Sequence, residues 1–177
     1  MEISDTVQQA IEENKGFVVI LAGSNSDQPH IDKVAAALKN YRIPHQARIC
    51  SAHKQPEALQ GLIEDYDFIN GALAYIAIAD GTDALSGSVS FNSIRPVVSC
   101  PPDAPNNTCL TNPPGSSNGY VARPENAARF IAQMFSHLSG TPYAELLREE
   151  MKSKIIKLEN ADKIFSVFPY VPPEVKK

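Results

Sequence analysis

A strand, a polar turn and a helix-period segment recur along the first 100 residues of this chain, and that repeat leaves few folds open. Phe17 to Ala22 (FVVILA) is continuously apolar and rich in β-branched residues, as a strand buried on both faces must be. It ends in Gly23-Ser24-Asn25-Ser26-Asp27. Ile31, Val34, Ala35, Leu38 and Tyr41 then recur at spacings that place apolar groups on one side of a helix. His45 to Cys50 alternates as a second strand does, SAHKQP forms a loop, and Pro56 opens a helix carrying Leu59, Leu62 and Ile63. Ala72 to Ala79 predicts a third buried strand and Pro96 to Cys100 a fourth. Parallel strands cannot be joined by tight turns. Their crossover helices cover both sheet faces, so the repeat predicts an α/β fold, a three-layer αβα sandwich around a parallel sheet. With 177 residues and 43% apolar content, the chain has enough material for one such core.

The remainder is less regular. Pro101 to Gly119 holds five of the fourteen prolines among Asn, Ser and Gly, and predicts a long functional loop or lid. Tyr120 to Ala122 suits a short last strand. Pro124 opens a helix expected to reach Leu138, with Ala127, Phe130, Ile131, Met134 and Phe135 on its apolar side; a charged helix follows from about Pro142 to Lys163. The expected organisation is an N-terminal helix in 1–16, the α/β domain in 17–140 and a C-terminal helix and apolar tail in 141–177. Residues 164–177 have too many aromatics for a solvated linker and too many prolines for a helix, so they are expected to pack on a neighbouring subunit.

Charge narrows the partners. Sixteen basic against twenty acidic residues leave a net charge of -4 and no basic stripe to neutralise a run of phosphates, which argues against nucleic acid. The three cysteines, Cys50, Cys100 and Cys109, have neither the number nor the spacing of a disulfide framework or zinc site. The acidic, amphipathic N-terminus lacks a signal peptide's basic and apolar regions, and no apolar run approaches the roughly 20 residues that cross a bilayer. The expectation is a cytoplasmic protein with no membrane partner.

Ligands of open parallel sheets bind beyond the carboxyl ends of the strands, so the loops after the first three strands carry the candidate chemistry. In the first, Gly23 allows the tight turn, Ser24 and Ser26 offer hydroxyls, and Asp27 can hold a ribose hydroxyl or cap the next helix. In the second, Ser51-Ala52-His53-Lys54 sets an imidazole, which can shuttle a proton, beside a cation suited to a phosphate or carboxylate. In the third, Asp80 and Asp83 suit capping of the following helix better than metal binding, because hard cations want more oxygens than this loop displays. Cys109 and His137 suit packing; His30 and His45 suit capping or solvent.

GSNSD after the first strand and SAHKQP after the second, with the spacing between them, resemble the class II aminoimidazole ribonucleotide carboxylase and mutase family over about residues 16 to 140. Lys54 and Ser99-Cys100-Pro101-Pro102 resemble the branch that uses carbon dioxide directly. The resemblance implies a flavodoxin-like sheet, a ribonucleotide and carbon dioxide as substrates, no cofactor or metal, and a homo-octamer. It also implies His53 as the proton carrier with Lys54 beside it, and substrate contacts from Gly23, Ser24, Ser26, Asp27, Ser51, Asp80, Ser86 and Gly87. Two segments depart from the pattern. Asp80 stands where the family carries glycine, and a carboxylate 4 Å from an anion near a protein surface is repelled by roughly 4 kcal/mol. Asn112-Pro113-Pro114-Gly115 replaces the family's base-covering stretch in a shortened loop. The alternatives are a divergent relative acting on another nucleotide-like molecule, or a binding or assembly protein of the same fold.

Overall fold

The computed structural model describes residues 2–167. Its centre is a wholly parallel sheet in which β1 (Phe17–Ala22) lies between β2 (His45–Ile49) and β3 (Leu73–Ile78), while β4 (Val97–Ser99) and β5 (Gly119–Tyr120) extend the β3 side. The strand order is therefore β2-β1-β3-β4-β5, the flavodoxin-like arrangement.

Successive strand residues point to opposite faces, and both faces of β1 and β3 are buried. Val18, Ile20 and Ala22 with Ala74, Ile76 and Ile78 pack beneath α2 (Gln28–Asn40) and α5 (Pro124–Phe135) through Ile31, Val34, Leu38, Ile131 and Phe135. Phe17, Val19 and Leu21 with Leu73, Tyr75 and Ala77 meet α1 (Asp5–Glu12), α3 (Pro56–Asp67) and α4 (Ala84–Asn92) through Val7, Leu59, Ile63, Tyr66 and Val89. Each fully buried large aliphatic side chain contributes about 1.5–3 kcal/mol. These two apolar layers hold the strand ends rigidly enough to present loops in fixed positions.

Two helix ends and the placement of one side chain differ from expectation. The fifth helix stops at Phe135 rather than Leu138, because Ser136 and Leu138 donate to carbonyls three residues back, Gln133 and Phe135, in a tightened final turn. Phe130, expected on its buried side, is 41% exposed. The last helix, α6 (Tyr143–Val167), runs four residues past Lys163, since no proline intervenes before Pro169. Its first half is anchored: Tyr143 donates to the Lys15 carbonyl at 2.9 Å, and Glu150 accepts from Tyr41 at 2.6 Å and pairs with Arg129 at 3.3 Å and with Lys154. From Met151 to Phe165 every residue is exposed. Of the tail expected to pack on a neighbour, 168–177 lie outside the described residues. Among the described residues, no helix is long and apolar enough to cross a membrane.

Candidate active site

The chain leaves β1 towards β2 on one side and leaves β3 towards β4 on the other, so the loops after β1 and β3 diverge and open a crevice at the carboxyl edge. A cleft of about 220 Å³ occupies it, lined by Gly23, Ser24 and Ser26 after β1, Ser51 to Lys54 after β2, Ala79, Asp80 and Thr82 after β3, and Leu85. Seven expected site residues thus meet: Gly23, Ser24, Ser26, Ser51, His53, Lys54 and Asp80.

Local hydrogen bonds shape each loop. The Gly23 amide continues the sheet by donating to the Ile78 carbonyl at 2.9 Å. Ser24 is extended, and its hydroxyl oxygen accepts from the Ser26 amide at 3.2 Å and the Ser26 hydroxyl at 2.7 Å, closing a 3₁₀ turn over Asn25–Asp27. In the second loop the Ser51 hydroxyl accepts from the Lys54 amide at 3.3 Å, and the Gln55 amide returns to the Ser51 carbonyl at 2.9 Å. His53 and Lys54 are exposed; among the described residues the imidazole has no hydrogen-bond partner and the ammonium no ion pair.

Asp27 sits just below. It precedes α2 but does not cap it, and it is 5% exposed with Oδ2 lacking any hydrogen-bond partner. Desolvation pushes its pKa above the usual carboxylate range, and the charge of Asp80 adds to that rise. A buried, under-satisfied carboxylate is costly unless a donor reaches it, which suits a ligand hydroxyl. The cleft itself is not lined by Asp27, so any such contact needs a small opening of the first turn.

The third loop divides the two acids that the sequence paired. Asp83 is a buried cap: Oδ1 accepts from the Ser86 amide at 2.9 Å, and Oδ2 accepts from the Ser86 and Ser99 hydroxyls at 2.8 and 2.6 Å. Asp80 caps nothing and faces the cleft. Ser86, expected at the substrate, is instead fully buried with its hydroxyl committed to Asp83. Gly87 lines a different recess of about 430 Å³ between α4 and residues Asn112 to Ser116; a Cβ there would stand 2.7 Å from Asn112 Oδ1. Its role is to let the 101–119 loop lie against α4.

That loop, expected as a lid, is fastened to the cleft by residues the sequence did not single out. Gly81 turns with φ +60°, and its amide donates to Asp103 at 2.9 Å. Buried Asn106 donates to the Gly81 carbonyl at 2.9 Å and to Asp103, while its Oδ1 accepts from the Thr108 hydroxyl at 2.6 Å. Thr108 in turn accepts from the Asp83 amide at 2.9 Å. Only the local run of Asp, Asn and Thr within a proline-rich segment hinted at this; the partners lie some 25 residues away.

The other candidates resolve simply. His30 is half-buried rather than capping or solvated, with Nε2 3.6 Å from Cys100 Sγ; desolvation lowers its pKa and raises that of Cys100 to about 12. His45 is tied through Nδ1 to the Ile43 carbonyl at the start of β2. His137 is exposed rather than packed. Cys109 is buried, and burial raises its thiol pKa. Among the described residues no group of three or more His, Cys, Asp or Glu is placed to hold a metal.

Similarity to known proteins is specific. The family model described as AIR carboxylase matches residues 17–156. The phosphoribosylaminoimidazole carboxylase of Treponema denticola is 34% identical over 152 residues, 82% of this chain and 95% of the relative. The human bifunctional phosphoribosylaminoimidazole carboxylase/phosphoribosylaminoimidazole succinocarboxamide synthetase is 34% identical over 157 residues, 85% of this chain but 37% of that larger protein. The crystal structure of Treponema denticola PurE superimposes with a TM-score of 0.78 at 33% identity, covering 84% of this chain and 97% of that one.

Proposed function

The chain belongs to the AIR carboxylase family, and from that premise we propose that it joins carbon dioxide to aminoimidazole ribonucleotide, a carbon–carbon bond-forming step of purine biosynthesis. The observation that carries the reading is the meeting of His53, Lys54 and the Ser24–Ser26 turn in one cleft at the sheet's switch point.

The chemistry follows from the substrate's ring, which is an enamine. Its C4 attacks the carbon of carbon dioxide, forming the C–C bond while one C=O electron pair moves onto oxygen. C4 then carries a hydrogen that must leave as a proton for aromaticity to return. The imidazole of His53 takes it, because imidazole exchanges protons near neutral pH and no described residue occupies its ring nitrogens. Lys54 offsets charge on the phosphate or the nascent carboxylate, and the Ser24, Ser26 and Ser51 hydroxyls orient the phosphoribosyl portion, with Asp27 meeting a ribose hydroxyl once the first turn opens. The ring supplies its own carbanion character, so the step draws on no cofactor.

An ultraviolet assay with aminoimidazole ribonucleotide and bicarbonate as the carbon dioxide source tests this directly. Carboxylated nucleotide is expected to accumulate; no turnover with millimolar nucleotide would overturn the reading. Asp80 in the cleft and the rebuilt 101–119 loop favour a second reading, a divergent relative acting on another nucleotide-like substrate. Thermal stabilisation by a different ribonucleotide, without carboxylation, would select it.

The working form we propose is a cytoplasmic homo-octamer, resting on similarity to the family and on α6. Met151, Ile155 and Leu158 recur at i, i+4 and i+7 on the exposed half of that helix, leaving an apolar stripe for a neighbouring copy. Light scattering is expected to give about eight times the 19.2 kDa of one chain, and a monomer would refute it.

A further inference from the structure

We propose that Asp80 reads the exocyclic amine of the nucleotide, fixing which way the ligand lies in the cleft; the inference rests on the ribonucleotide reading above. Lys54 and Asp80 come from the loops after β2 and β3, the strands on either side of β1. Two strand spacings separate those loops, about 10 Å, with the Ser24 turn between them. The two side chains form no ion pair with each other although both face the same cleft. The cleft therefore has a cationic side and an anionic side.

Two hydroxyl acceptors beside them already serve the loops' own hydrogen bonds. Ser24 Oγ accepts twice from Ser26, and Ser51 Oγ accepts from the Lys54 amide. Asp80 is the one carboxylate among the residues lining the cleft, and it is exposed with no hydrogen bond of its own among the described residues. A carboxylate only accepts hydrogen bonds, so its best partner is a neutral or cationic donor, and it repels a phosphate. A ribonucleotide bearing an amino group on its heterocycle satisfies both sides at once. Its phosphate lies towards Lys54 and its N–H donors point at Asp80, which keeps like charges apart and explains how a carboxylate is tolerated in a site for an anionic substrate.

Calorimetry with three probes tests this: aminoimidazole ribonucleotide, the imidazole ribonucleotide lacking the amine, and ribose 5-phosphate. The wild-type chain is expected to bind the amino compound on the order of tenfold more tightly than the desamino one. Asp80→Ala is expected to erase that ratio and leave ribose 5-phosphate binding within about twofold, and Asp80→Asn to retain part of the ratio through its amide oxygen. A ratio unchanged in Asp80→Ala would overturn the proposal. So would equal tightening of all three ligands in that variant, the signature of a mere repellent. If none of the three binds the wild-type chain, the ribonucleotide reading fails and takes this inference with it; if ribose 5-phosphate and both nucleotides bind equally, only the assignment of Asp80 fails.

Discussion

Asparagine in place of His53 is expected to lower turnover of aminoimidazole ribonucleotide by about 10²–10⁴-fold, the usual contribution of a positioned proton carrier. The fold should not notice. His53 is exposed and makes no hydrogen bond among the described residues, and its loop is closed by Ser51 and Gln55 instead. Asparagine retains a polar group of similar reach but cannot exchange a proton near neutral pH. The comparison therefore isolates proton transfer: steady-state rates should collapse while the melting temperature stays within about 1 °C, as substitutions at exposed, uncommitted positions do. A loss smaller than tenfold would move the proton transfer to another group.

Asp83→Ala is expected to act in the opposite way, on stability first. Its carboxylate caps α4 and receives three hydrogen bonds in a buried pocket, where Ser86 and Ser99 are fully enclosed. Alanine removes the cap, worth roughly 1 kcal/mol, and strands two buried hydroxyls, each costing about 1–3 kcal/mol. A total near 3 kcal/mol or more corresponds to a fall of about 6–12 °C in melting temperature for a domain of this size. Asp83→Asn keeps acceptor capacity at one oxygen and should lose less. The backbone amide of residue 83 still donates to Thr108 in the alanine variant, but without the carboxylate that fixes this turn to Ser86 and Ser99 the Asp80 loop and the 101–119 segment should loosen, and nucleotide affinity should drop alongside stability. Thermal melts and urea titrations read the first effect and calorimetry the second. A melting temperature within 2 °C of the wild-type value would show that the network carries little of the fold.

The two acids of the third loop show what a sequence can and cannot separate. Asp80 and Asp83 are equivalent as residue types in a turn before a helix, and on residue type alone capping is the expectation for both, although the family resemblance also sets Asp80 among the substrate contacts. The structure divides them because a cap must sit at the helix's first free amides. Asp83, three residues before Ser86, reaches that place, whereas Asp80 stands at the strand's end and faces the ligand side. The same holds for Ser86 and Gly87. Family resemblance pointed at them for substrate contact, yet in this chain one satisfies Asp83 and the other gives room to Asn112.

Local periodicity alone determined the strands β1 to β4, the helices α2 and α3 and the loops where chemistry would sit, because a side chain's neighbours along a strand or helix follow from spacing. The GSNSD and SAHK loops were legible for the same reason: both end buried strands whose positions the pattern dictates. Tertiary structure alone decided which groups share the cleft, which acid is buried and unsatisfied, and how the proline-rich segment is pinned through Asp103, Asn106 and Thr108. Those outcomes depend on contacts between residues some 25 positions apart, where no repeat links one partner to the other and only the packed sheet brings them within hydrogen-bonding distance.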